Sequence, residues 1–138
     1  MRLSAKQDAV RAVDTNIVVR FLTGDDHEQF VRARKTMSDG PIFVATGVCL
    51  ETEWVLRSVF GYKRAAVASA LAQLAGLPEV RLEQPSVVQQ AIVWLLEGMD
   101  FADALHLASA DGCEAMVSFD AKLAKVAKRL GTIPVLAP

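Results

Sequence analysis

The 138-residue sequence predicts an α/β domain with a central, mainly parallel sheet covered by helices. Three observations point there. Short apolar runs of strand character alternate with longer segments of helical period along the chain. The segments between strand candidates are long enough to cross over and pair the strands in parallel. A hydrophobic content of 52% and a mean hydropathy of +0.28 can fill one such core and exclude a disordered chain.

Each element has a local signal. The first strand is Arg11 to Asp14, followed by an amphipathic stretch from Ile17 to Leu22. Asp25 or Asp26 caps a helix from His27 to Met37. Asp39-Gly40-Pro41 is a turn, and Ile42-Phe43-Val44 the second strand. Thr46 is the expected cap of a helix from Val48 to Phe60, stopped by Gly61. Lys63 to Ala75 is an alanine-rich helix ended by Gly76 and Pro78. Val80-Arg81-Leu82 is a strand, and Pro85 opens a helix through Glu97 at the first-turn position that tolerates proline. Phe101 to Ala110 is helical and Met116 to Phe119 a strand. Ala121 to Leu130 is the last helix, ended by Gly131, and Ile133 to Leu136 the final strand.

Composition excludes several classes. The longest stretch without Asp, Glu, Lys or Arg runs from Ala65 to Pro78, shorter than the roughly 20 apolar residues of a spanning helix. No secretory signal pattern opens the chain. Cys49 and Cys113 lie far apart with no CxxC, which reads as a reduced, cytoplasmic setting. Fifteen basic and sixteen acidic residues leave a net charge of −1, too acidic for a protein that coats DNA. A local basic patch that meets RNA remains compatible with this balance.

The informative residues are acids. Asp14 closes Ala12-Val13-Asp14, and Asp120 follows Val117-Ser118-Phe119. In an open parallel sheet the ligand crevice lies beyond the carboxyl ends of the strands, so neighbouring strands would bring both to one rim. Each also reads as a helix cap or turn residue. Asp103 sits in Phe101-Ala102-Asp103-Ala104-Leu105-His106, among residues that favour the interior and with no Lys or Arg within four positions. An unpaired buried carboxylate is costly, and a cation would relieve it. Its alternative is a first-turn acid favoured by the helix dipole, with Asp100 as cap.

The fourth acid comes from Leu50-Glu51-Thr52-Glu53-Trp54-Val55-Leu56-Arg57. At 100° per residue, Val48, Thr52, Val55, Leu56 and Val59 share one face. Glu53 has Arg57 four positions on, the order of a surface pair. That makes Glu53 the expected surface residue and Glu51 the acid at the core rim. Asp14, Glu51, Asp103 and Asp120 are thus four acids without a designated basic partner. Oxygen ligands without cysteine or histidine spacing favour Mg²⁺ or Mn²⁺ over zinc. His27 and His106 share no motif and are not ligand candidates.

In this order and spacing, Val13-Asp14-Thr15-Asn16, Glu51-Thr52-Glu53-Trp54, Asp100-Phe101-Ala102-Asp103 and Ser118-Phe119-Asp120 resemble the PIN-domain family, specifically its VapC-type toxin ribonucleases. The resemblance runs from Val10 to Pro138. It implies an α/β/α sandwich, an acidic pocket that binds Mg²⁺ with Mn²⁺ as substitute, and hydrolysis of RNA by metal-activated water. By position, Asp14, Glu51, Asp103 and Asp120 match the family's catalytic, metal-binding acids. Asp100 stands where a further acid is frequent. Ser118 would support Asp120 through its hydroxyl, and Asn16 would hold Asp14. A small VapB-like antitoxin and a homodimer are the implied partners.

Phosphate attraction must come from rim cations: Arg20, Arg57, Lys63 and Arg64, with Lys122, Lys125, Lys128 and Arg129 on the last helix. Those last residues also read as a solvated complement to the helix dipole. A receiver-like metal-binding signalling domain is one alternative, though two of its marks are missing. It needs an acceptor aspartate after a central strand and a lysine after a late one, whereas Ala45-Thr46 and Ala137-Pro138 stand there. A catalytically silent PIN-like binding module is the other alternative. Residues 1–9 are expected to be an N-terminal extension, with Val10 a candidate initiator and residues 10–138 a single PIN domain.

Overall fold

The computed structural model describes residues 9–138. The expected extension therefore lies, but for Ala9, outside the described residues. The chain divides into two compact units, one ending at Pro85 and the other Ser86–Pro138. The N-terminal unit runs β1 (Arg11–Ala12), α1 (Thr15–Thr23), α2 (His27–Ser38), β2 (Ile42–Val44), α3 (Thr46–Ser58), α4 (Arg64–Gly76) and β3 (Val80–Leu82). The C-terminal unit holds α5 (Pro85–Leu96, starting at the boundary), α6 (Phe101–Ser109), β4 (Met116–Val117), α7 (Ala121–Leu130) and β5 (Val135–Leu136). The predicted mixed α/β class holds, and the described strand pairings are all parallel.

In the N-terminal unit β1 pairs with β2 and β2 with β3, with Arg11 opposite Ile42 and Ile42 opposite Val80. Ile42 and Val44 of β2 are fully buried, as a strand flanked on both sides requires. Helix α1 packs on α2 and α3, and α4 on α3 and β3. Val67, Leu71 and Leu74 repeat along one stripe of α4 and are each 1% exposed. Removing such a leucine to alanine costs about 2–5 kcal/mol, so this stripe holds α4 in place. Gly24 ends α1 at φ +61°, where its N–H reaches the Arg20 carbonyl. A side chain would be strained there.

Two local expectations are corrected in this unit. Thr46 does not cap α3. It is the first helical residue, and Ala45 before it offers no side-chain acceptor. The Thr46 N–H instead donates to Oε1 of Glu83 at 2.9 Å, and its hydroxyl donates to Gln84 at 2.9 Å. The carboxylate just past β3 thus does a cap's work from 37 positions away.

The buried face of α3 is also turned from the expected one. Cys49, Thr52, Glu53 and Leu56 are inside, while Val59 is 65% exposed and Glu51 is exposed. Glu53, expected at the surface, is 4% exposed. Its carboxylate accepts from Arg57 Nε at 2.7 Å and from Arg57 Nη2 at 3.4 Å. The i,i+4 pair therefore exists as expected, but it serves to bring a charge inside. Arg57 lies along the helix with its side chain 51% exposed, so the pair has one end in water.

Cys49 has no surface exposure, and burial pushes its thiol up to about 11, with the Glu83 carboxylate adding to the effect. Cys113 is exposed. Because the thiolate is the reactive form, Ellman's reagent at pH 8 is expected to find one fast thiol in the native protein and two after denaturation. Two fast thiols in the native state would contradict the packing of α3.

In the C-terminal unit β4 pairs with β5, Met116 opposite Val135. Helix α5 buries Val88, Ala91, Ile92 and Leu95 at the i, i+3, i+4, i+7 spacing of one apolar stripe. Phe101, Ala104, Leu105, Leu107 and Ala108 bury most of α6. Helix α7 packs on β5 and buries Leu123 and Ala127 one turn apart, with its lysines outward. Arg129 Nη2 donates to the Glu97 carbonyl at 2.6 Å and ties the end of α7 to the end of α5.

Candidate acidic site

Three of the predicted acids hold the same local post. Asp14, Asp100 and Asp120 are the N-caps of α1, α6 and α7. In each, Oδ1 accepts from the backbone N–H three residues on: Ile17 at 3.1 Å, Asp103 at 3.1 Å and Leu123 at 3.0 Å. A capping oxygen satisfies an otherwise unpaired helix donor and fixes the carboxylate at the helix mouth. Among the described residues, the second oxygen, Oδ2, makes no hydrogen bond in any of the three. Capping and ligation are therefore compatible in one side chain, one oxygen for each.

In the N-terminal unit Asp14 is exposed, just past β1. Glu51 is exposed on α3, and its Oε1 accepts from the Thr15 hydroxyl at 3.0 Å. Since Thr15 follows Asp14, that bond brings the α3 acid to the start of α1. Asn16 is exposed and makes no hydrogen bond to Asp14. It lines a cavity of about 270 Å³ with Arg20, Arg32 and Thr36. Sequence reasoning passed over Thr15. The signal was a hydroxyl beside the strand-end aspartate, but its partner lies 36 positions away.

In the C-terminal unit Asp103 stands at the third helical position of α6, above its cap Asp100. Asp103 is half-buried, and among the described residues no lysine or arginine forms a salt bridge with it. Partial burial raises its carboxyl above the ordinary value of 3.8, and the negative charges of Asp100 and Asp120 raise it further. His106, one turn on, pulls weakly the other way. Asp100 and Asp120 are thus each near enough to act on the Asp103 carboxyl. Ser118 accepts from the Asp120 N–H at 3.0 Å, so the serine shapes the backbone that presents Asp120 rather than touching its carboxylate.

Among the described residues, no three His, Cys, Asp or Glu side chains form a ready-made ligand set. The donor type still fits a hard cation: carboxylates without a cysteine beside them, and with His106 a turn from Asp103 as the one imidazole near the C-terminal acids. Magnesium takes one or two carboxylates and completes its shell with water and substrate phosphate, so it does not demand such a set. A closed group of soft ligands would be the mark of structural zinc.

A family model for the PIN domain matches residues 11–129. The chain belongs to the PIN-domain family. The match spans both units and includes Asp14, Glu51, Asp100, Asp103 and Asp120. PIN domains are a nuclease-type fold, generally hydrolases that use divalent metals. No curated protein and no solved structure matches this PIN domain. Among the described residues, no helix is long and apolar enough to cross a membrane.

Proposed function

We propose that this PIN domain is a Mg²⁺- or Mn²⁺-dependent endoribonuclease and the toxin of a VapBC-type toxin–antitoxin pair. The observation that carries the nuclease reading is the acid group of the C-terminal unit. The half-buried Asp103 carboxylate meets the negative charges of Asp100 and Asp120, with no lysine or arginine paired to it among the described residues, an arrangement that a bound cation relieves. The order of the four motifs supports the toxin assignment. Both cysteines are free, as a reduced compartment leaves them.

Asp14, Glu51, Asp103 and Asp120 are each proposed as divalent-metal ligands from the family's pattern, and the metal when bound activates water and stabilises charge on the phosphoryl and leaving oxygens. The chain's own contribution is positional. Caps at α1 and α7 fix Asp14 and Asp120 at helix mouths, the Thr15 hydroxyl holds Glu51, and Asp100 anchors the first turn beneath Asp103. The acids repel RNA phosphate, so binding falls to the exposed cations, Lys122, Lys125 and Lys128 of α7 among them. An antitoxin would neutralise the same acids with a basic side chain. The active toxin is a homodimer in this reading.

Purified protein is expected to cleave structured RNA with Mg²⁺ or Mn²⁺ and to stop when EDTA is added. Cleavage that survives chelation would remove the metal mechanism. No cleavage under any cation would favour the silent binding module instead.

A further inference from the structure

Phe119 is 91% exposed, more than any other large hydrophobic side chain among the described residues. Its exposure has a local cause. The Asp120 N–H is held by Ser118 Oγ, and Asp120 Oδ1 holds the Leu123 N–H. These bonds pin the turn from β4 into α7, and the residue between serine and aspartate is left open to solvent. The ring borders a groove of about 680 Å³ that also contains Asp120, Lys125, Lys128 and Leu136. Among the described residues neither lysine forms an ion pair, and α7 carries four basic residues and no acid.

An open aromatic face beside unpaired lysines is the arrangement that takes single-stranded nucleic acid, bases stacking on the ring and phosphates on the cations. The groove volume lies in the range that accommodates a nucleotide-sized ligand. We infer that Phe119, Lys125 and Lys128 form a subsite for an unpaired nucleotide of the RNA, next to the acid Asp120. This rests on the nuclease reading above and narrows its substrate to RNA that is single-stranded at this position. Charge favours RNA over an apolar peptide as occupant, because phosphates neutralise the two lysines that line the groove and an apolar peptide does not.

The test uses the full chain and a fluorescein-labelled single-stranded oligoribonucleotide, with affinity read by anisotropy in Ca²⁺ and KM read by cleavage in Mg²⁺. Phe119→Ala is expected to weaken affinity about tenfold and raise KM in proportion, while Phe119→Trp restores both. Binding of the same sequence as a duplex should not depend on Phe119. Lys125→Gln with Lys128→Gln should lower the salt slope of binding by about two. Phe119 buries almost nothing, so the variants should melt like the parent.

Unchanged single-strand affinity in Phe119→Ala, with cleavage intact, overturns the subsite and leaves the nuclease reading standing. Loss of self-association in that variant with RNA affinity unchanged also overturns it and assigns the groove to contacts between copies. If the parent neither binds nor cleaves RNA, the nuclease reading falls and takes the subsite with it.

Discussion

Asp103→Asn is expected to reduce metal-dependent RNA cleavage by at least about a hundredfold, while leaving the metal-free fold as stable as the parent's or more so. The two effects have one origin. The Asp103 carboxylate is half-buried and repelled by Asp100 and Asp120, so the fold holds a charge it does not favour. Asparagine keeps the shape and removes the charge. Its capped helix start does not depend on the lost oxygen, since Asp100 accepts from the Asp103 backbone N–H.

The pH dependence follows in sign. The carboxyl of Asp103 titrates above its unfolded value of 3.8. Between the two values the folded chain binds more protons than the unfolded one, so stability falls as pH rises through that window. The asparagine variant lacks this loss. Its melting temperature relative to the parent should rise as pH climbs from about 3.8 through the folded value, then level off. Parent-like cleavage by Asp103→Asn, or a variant that loses stability over this range, would count against the assignment. Asp14→Asn, Glu51→Gln and Asp120→Asn should share the loss of cleavage.

Arg57→Ala is expected to destabilise the protein by about 2–3 kcal/mol in urea unfolding, and Glu53→Gln by about 1 kcal/mol. Breaking a buried pair is worst when it strands the buried charge, and here that charge is Glu53, 4% exposed. Half-exposure of Arg57 screens the pair, which keeps the figure below that of a fully buried bridge. Glutamine retains an acceptor for the guanidinium and loses only the charge. Glu53→Gln should therefore lose stability yet cleave RNA like the parent below its melting temperature. If Arg57→Ala unfolds no more easily than Glu53→Gln, the carboxylate is not held as described.

Glu53 also shows where sequence reasoning failed. An acid followed four residues later by arginine is the mark of an exposed pair, and the valines at 48, 55 and 59 point to a core face that shares Thr52 and Leu56 with the observed one but is turned away from Glu53. The pairing was read correctly and the exposure was not. Periodicity counts an acid as polar whatever its partner, whereas a carboxylate with its own arginine can be buried. With Glu53 inside, Glu51 is on the solvent side, where the Thr15 hydroxyl reaches it.

Most of the fold was legible because its signals are local. Strands Ile42–Val44 and Val80–Leu82 and helix Ala121–Leu130 have the bounds that their apolar runs and flanking turn residues predict. Asp26, Asp100 and Asp120 cap the helices they precede, because a cap joins atoms three residues apart. The sequence by itself thus determined the α/β class, the order of its elements and the placing of three aspartates at helix mouths. Only the tertiary structure decided which face of α3 is buried, that Glu83 rather than Thr46 secures its start, that Thr15 holds Glu51, and that Phe119 stands open to solvent. Each depends on which surfaces meet across tens of residues, and that choice is made by packing and charge pairing, which no local pattern encodes.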